Sequence, residues 1–124
     1  MSRTLIDSSS WVHYLRRRGD RAVRARVSDL LARGEAVWCP VVRLELWNGV
    51  GSATDRKILR DFESSILELA IDDQVWHESC SLAERCRKAG QTAPASDVLI
   101  AACARHHRVG LEHSDAHFDF LLTL

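Results

Sequence analysis

Four acidic residues, Asp7, Glu45, Asp97 and Asp115, occupy positions from which carboxylates could converge on one cation. The stretch ASDVLIAACARHHRVGLEHSDAHFD (95–119) sets Asp97 on the first turn of an apolar helix and Asp115 just after the short run Val109 to Glu112. A first-turn carboxylate is favoured by the unpaired backbone N–H groups and the positive end of the helix dipole. Asp7 closes the apolar run RTLID (3–7), and Glu45 lies within PVVRLELW, where Val41 and Val42 share its side one turn earlier. An acid facing the core is costly unless paired or metal-bound, so Glu45 needs a cation, a partner such as Arg43, or a place on the rim. Singly, each aspartate reads equally well as a cap or turn residue, worth about 0.3 to 1 kcal/mol in a first turn. Jointly, two acids follow strands and two lie on helices that follow strands, which places all four at one edge of a parallel sheet. Acids converging there repel strongly unless a cation neutralises them. A donor set of hard oxygens without cysteine or histidine suits Mg2+ or Mn2+ better than zinc.

The elements that must carry these acids alternate along the chain. Residues 3–7 predict a strand, and Ser8 to Ser10 offer a cap for a helix bearing Trp11, Val12, Tyr14 and Leu15. Val23, Val27, Leu30 and Leu31 recur at helical spacing until Gly34. Ala36 to Cys39 are strand-like, and Pro40 opens a third helix that ends between Asn48 and Gly51. Thr54 to Phe62 predict a short polar helix and Ile66 to Ile71 a strand. Asp72 and Asp73 open a helix with Val75, Trp76, Ser79, Leu82, Ala83 and Cys86 on one side and a basic last turn before Gly90. Alternating helices and short strands imply an α/β fold, with a short, mostly parallel central sheet covered on both faces in three α/β/α layers.

Length and composition predict a single domain over 1–124, with 46% hydrophobic and 27% charged residues. Seventeen basic and seventeen acidic side chains cancel, so a nucleic-acid role needs a local basic patch rather than overall charge. Cys39, Cys80, Cys86 and Cys103 lack CxxC spacing and are expected to be reduced core thiols, which fits a cytoplasmic protein. No apolar run approaches the roughly 20 residues of a membrane helix, and no membrane partner is expected.

IDSSSW (6–11), LELWNG (44–49), SDVLIAACA (96–104) and HSDAHFD (113–119) together resemble the PIN domain, and most closely the VapC toxins of toxin–antitoxin pairs. The resemblance covers nearly the whole chain, in order and at matching spacing. It implies that the family's four acids are Asp7, Glu45, Asp97 and Asp115, and that the activity is magnesium- or manganese-dependent cleavage of RNA. Asp7, Asp97 and Asp115 are then candidates for direct or water-mediated ligands, while Glu45 holds a second ion or orients the attacking water. Ser9 is a candidate hydrogen-bond donor to a ligand carboxylate, or simply a helix cap, and Asp119 matches a further acid found in some members. The resemblance further implies products with a 5′-phosphate and a 3′-hydroxyl, a cognate antitoxin that blocks the cleft, and a homodimer. Ser114 stands where threonine or asparagine is frequent, and the end of the sequence at Leu124 leaves little room for a final edge strand.

Other features divide between readings. RRRGDRAVRAR (16–26) holds six arginines, suited either to phosphate contacts or to a solvated face paired with acids. His113 and His117 flank Asp115 but are explained as well by packing, and Trp11, Trp38, Trp47 and Trp76 read as core or dimer anchors. A phosphoryl-accepting Mg2+ domain is disfavoured because Lys57 and Lys88 lie far from any strand end. A housekeeping PIN-type nuclease without an antitoxin remains an alternative. A non-catalytic interaction module would leave the four acids without a role.

Overall fold

The computed structural model describes residues 2–124. Four short strands, β1 (Thr4–Ile6), β2 (Ala36–Trp38), β3 (Leu67–Glu68) and β4 (Gly110–Glu112), form one sheet in the order β3-β2-β1-β4. Every pairing is parallel, with Leu5 opposite both Val37 and Leu111. Parallel neighbours need crossover helices, which are α1 (Ser8–Leu15), α2 (Arg21–Ala32), α3 (Pro40–Gly49), α4 (Ala53–Ser65), α5 (Asp73–Lys88) and α6 (Ala95–His106). The short α7 (His117–Leu121) follows β4, and no further strand occurs among the described residues.

The core sits on the β1–β2 centre of the sheet. Leu5, Ile6, Val37 and Trp38 are buried, and Trp11 of α1 packs against Trp38 and Phe62. The α6 helix is buried continuously from Asp97 to Ala104, because Ala101, Ala102, Cys103 and Ala104 are small enough to let α5 and the sheet approach its backbone. Gly34, at φ +69°, ends α2 in the left-handed conformation and lets the amides of Gly34 and Glu35 return to the carbonyls of Leu31 and Leu30.

Three local expectations are corrected. The strand expected over Ile66 to Ile71 pairs only through Leu67 and Glu68, both exposed at the sheet edge, where a single neighbour supplies hydrogen bonds. The first helix is capped by Asp7, not by the serines, since Asp7 already has extended backbone geometry and its carboxylate accepts from Ser9 N–H. The cysteines are all free, but Cys80 lies on the outer face of α5 and Trp76, one turn earlier, is 54% exposed, so neither belongs to the core. No helix is long and apolar enough to cross a membrane among the described residues.

Candidate metal centre

Parallel register brings the carboxyl ends of β1, β2 and β4 to one edge, and the predicted acids emerge there. Ile6 pairs with Glu112, so Asp7 and the loop carrying Asp115 leave adjacent strands side by side. Glu45 comes from α3, which starts one residue after β2, and Asp97 from the first turn of α6.

Asp7 is 2% exposed. Its Oδ2 accepts from Ser9 N–H at 3.0 Å and Ser9 Oγ–H at 2.6 Å, whereas Oδ1 is buried with no hydrogen-bond partner. An ionised oxygen taken out of water without a partner is expensive, and a cation is the counterpart that chemistry would supply. Ser9 Oγ in turn accepts from the backbone N–H of Ser114 at 2.9 Å, tying the first acid to the loop of the last.

Asp97 and Asp115 share a histidine. His117 Nδ1 lies 3.1 Å from Asp97 Oδ2 and 2.8 Å from Asp115 Oδ1, and one oxygen of each acid and a ring nitrogen all fall within 4.8 Å of one another. Burial first, then repulsion from Asp115 and Asp7, pushes Asp97 up to about 6, with His117 opposing. Glu45 is also raised, by burial first and then by Asp7 and Asp115, while a 3.0 Å hydrogen bond from Ser8 Oγ–H works the other way. The four predicted acids therefore share one electrostatic field, and their hard oxygens fit a divalent cation.

Arg43, the expected partner of Glu45, is taken elsewhere: it pairs with Glu68 at 2.6 Å and Glu63 at 3.4 Å on the far side of α3. Asp119 stays outside the cluster, with its side chain 75% exposed and 3.9 Å from His113. His113 stacks on Phe118, as packing predicted. His117 is the residue that sequence reasoning underweighted. The available signal was its position two residues after Asp115, where the loop turns into α7 and its own amide caps the Asp115 carboxylate at 2.9 Å.

The raised pKa of Asp97 gives a testable sign. Its folded value of about 6 against the ordinary 3.8 means that its protonation stabilises the fold fully below 3.8, and that this stabilisation is lost as pH rises through about 6. A divalent cation competes with that proton, so in thermal melts it should raise Tm more at about pH 8 than at about pH 5. Equal shifts at both would place the cation elsewhere.

The PIN domain family matches residues 4–120. Ribonuclease VapC11 of Mycobacterium tuberculosis is 31% identical over 125 residues, taking in 97% of this chain and 92% of that protein. Ribonuclease VapC21 of the same organism is 30% identical over 106 residues, 83% of this chain and 77% of that one. Among solved structures, VapBC2 from Rickettsia felis, bound to a promoter DNA fragment, superposes with a TM-score of 0.78 at 16% identity, covering 94% of this chain and 91% of the other. FitAcB from Neisseria gonorrhoeae gives a TM-score of 0.72 at 18% identity, covering 98% and 94%. At such identities the structural likeness speaks to the fold.

Proposed function

The chain belongs to the PIN-domain family and to its VapC ribonucleases, and from that premise we propose that it is an Mg2+- or Mn2+-dependent endoribonuclease, the toxin of a type II toxin–antitoxin pair. The observation that carries the metal dependence is the Asp7 carboxylate, buried with Oδ1 unpartnered in the field of three further acids.

In this reading Asp7, Asp97 and Asp115 hold the cation and Glu45 stands beside them. Bound there, the cation supplies charge neutralisation at the scissile phosphate and acidifies a water. Glu45, fixed by Ser8, orients the attacking water and receives its proton. The water oxygen would bond to phosphorus as the P–O3′ bond breaks in line, and the departing O3′ would take a proton from solvent, leaving a 5′-phosphate and a 3′-hydroxyl. His117 holds the Asp97 and Asp115 carboxylates in register. Ser9 orients Asp7 by hydrogen bonding, and Ser9→Ala is expected to weaken metal affinity by about 10- to 100-fold with little change in Tm. The measurement is an Mn2+ titration followed by thermal shift.

Purified protein given RNA and Mn2+ should cleave it, EDTA should stop the reaction, and the new 5′ ends should accept a labelled phosphate from a polynucleotide kinase only after phosphatase treatment. Cleavage that survives EDTA, or 2′,3′-cyclic ends, would contradict the mechanism. The toxin assignment rests on the VapC relatives and predicts a short reading frame directly upstream whose product binds this chain and suppresses cleavage. A homodimer is part of the same proposal, checked by light scattering.

A further inference from the structure

The arginine run leads into a cleft that opens from the acidic site. A cavity of about 350 Å³ runs between the carboxyl-terminal halves of α1 and α3, with Glu45 at one end and Arg16 and Arg17 at the other. Its sides are Val12, Leu15, Leu46 and Val50, and Asp55 lies on its wall. Since α1 begins at the Asp7 cap and ends at Leu15, its rise sets the arginine turn about 12 Å along the axis from Asp7.

The turn carrying these arginines is built. Asp20 N–H donates to His13 Nδ1 at 3.0 Å, and Gly19 N–H to the Arg16 carbonyl at 3.2 Å. A Cβ at Gly19 would overlap the His13 backbone, so only glycine closes the turn this tightly. Arg24 Nη1–H donates to the Arg17 carbonyl at 3.0 Å, and Asp20 caps α2 through Val23 N–H. Of the six arginines in the run, Arg26 alone forms an ion pair among the described residues, with Glu112 at 2.7 Å. Arg16 and Arg17 are exposed and have no acidic partner within 4.0 Å. An expected face of mutually paired charges is thus absent at the point where the cleft reaches them.

We propose that Arg16 and Arg17 bind backbone phosphates of the RNA strand as it leaves the acidic site through this cleft, setting its path past Glu45. The inference rests on the ribonuclease reading and adds a substrate contact to it. A guanidinium pair suits successive phosphates, and apolar sides suit the unpaired bases of a single strand. Contacts to phosphates position the strand without reading its sequence.

The test compares wild type with R16Q/R17Q, and with R3Q/R108Q, whose exposed arginines precede β1 and β4 at the sheet edge opposite the acids, as a control of equal charge change. KM and kcat are measured on a single-stranded RNA across salt concentrations. Affinity for the same RNA is measured by fluorescence anisotropy in EDTA, with thermal melts verifying folding. R16Q/R17Q should raise KM about tenfold with kcat within about twofold, and lower the slope of log affinity against log salt by about 1.4, roughly 0.7 for each lost single-strand phosphate contact. R16K/R17K should restore the slope, and R3Q/R108Q should leave it unchanged. Unchanged KM and slope in R16Q/R17Q, or an equal loss in R3Q/R108Q, overturns the inference while wild-type cleavage stands. So does unchanged RNA affinity combined with loss of inhibition by a protein partner, which would assign the arginines to that partner. Absence of metal-dependent cleavage in wild type would instead sink the ribonuclease reading, and the anisotropy slopes would still report on the arginines.

Discussion

Asp97→Asn is expected to lower RNA cleavage about a thousandfold or more while the apo protein melts at the same temperature or higher. The two effects have one cause. Asp97 is 7% exposed on the first turn of α6, where burial first and then repulsion from Asp115 and Asp7 push its carboxyl up to about 6. The asparagine amide keeps the shape and a helix-start polarity but removes the charge, so the repulsion with Asp115 and Asp7 disappears. What disappears with it is one anionic donor to the cation. Metal-assisted charge stabilisation is worth several kcal/mol in the transition state, and about 1.4 kcal/mol is tenfold in rate. A site that trades stability for chemistry in this way gains stability when its charge is deleted. Single-turnover cleavage and parallel melts without metal check the pair of outcomes. A variant that retains wild-type rates would remove Asp97 from the site.

Trp11→Ala is expected to destabilise the fold by about 3 to 5 kcal/mol, a large share of the roughly 5 to 15 kcal/mol that holds a domain together. Trp11 is fully buried, 5.0 Å centroid to centroid from Phe62 and 6.3 Å from Trp38, so truncation leaves a cavity bounded by rigid aromatic rings on α4 and β2 that cannot close over it. The same helix begins at Asp7 and Ser8, so loosening it should also weaken metal binding at temperatures where the chain is still folded. Trp76→Ala, on the exposed face of α5, is the contrast and should cost less than about 1 kcal/mol. Urea unfolding followed by far-UV circular dichroism measures both.

The alternation of strands and helices was legible because several helices carry their own punctuation: Asp20, Pro40 and Asp72 open helices and Gly34 closes one, whereas the helix expected from Thr54 begins earlier, capped by Ser52. The grouping of Asp7, Glu45 and Asp115 followed from parallel strands sending the residues after them to one edge, but the expectation that Asp97 also lies on a helix after a strand is corrected: α6 follows α5, and its first turn reaches that edge because α6 runs back along the sheet into β4. Two things were not legible. The length of β3 depends on how far β2 extends to pair with it, a tertiary fact that Ile66 to Ile71 do not contain. The role of His117 depends on α7 folding back so that its ring reaches Asp97, twenty residues away in sequence, and spacing to Asp115 by itself fits surface packing as well. The partner of Glu45 was likewise undetermined, because Arg43 sits two residues away and so points to the opposite side of α3, toward Glu63 and Glu68.

We propose that the acids Asp7, Glu45, Asp97 and Asp115 form one binding site for a divalent cation. Its most direct test is an electron paramagnetic resonance titration of Mn2+ against the apo protein, Asp7→Asn and Asp97→Asn, reading the loss of the free-ion signal. Saturable binding is expected of the wild type, reduced at least tenfold in affinity by either substitution, with both variants folded by melting. Undiminished Mn2+ binding by Asp7→Asn and Asp97→Asn would contradict it.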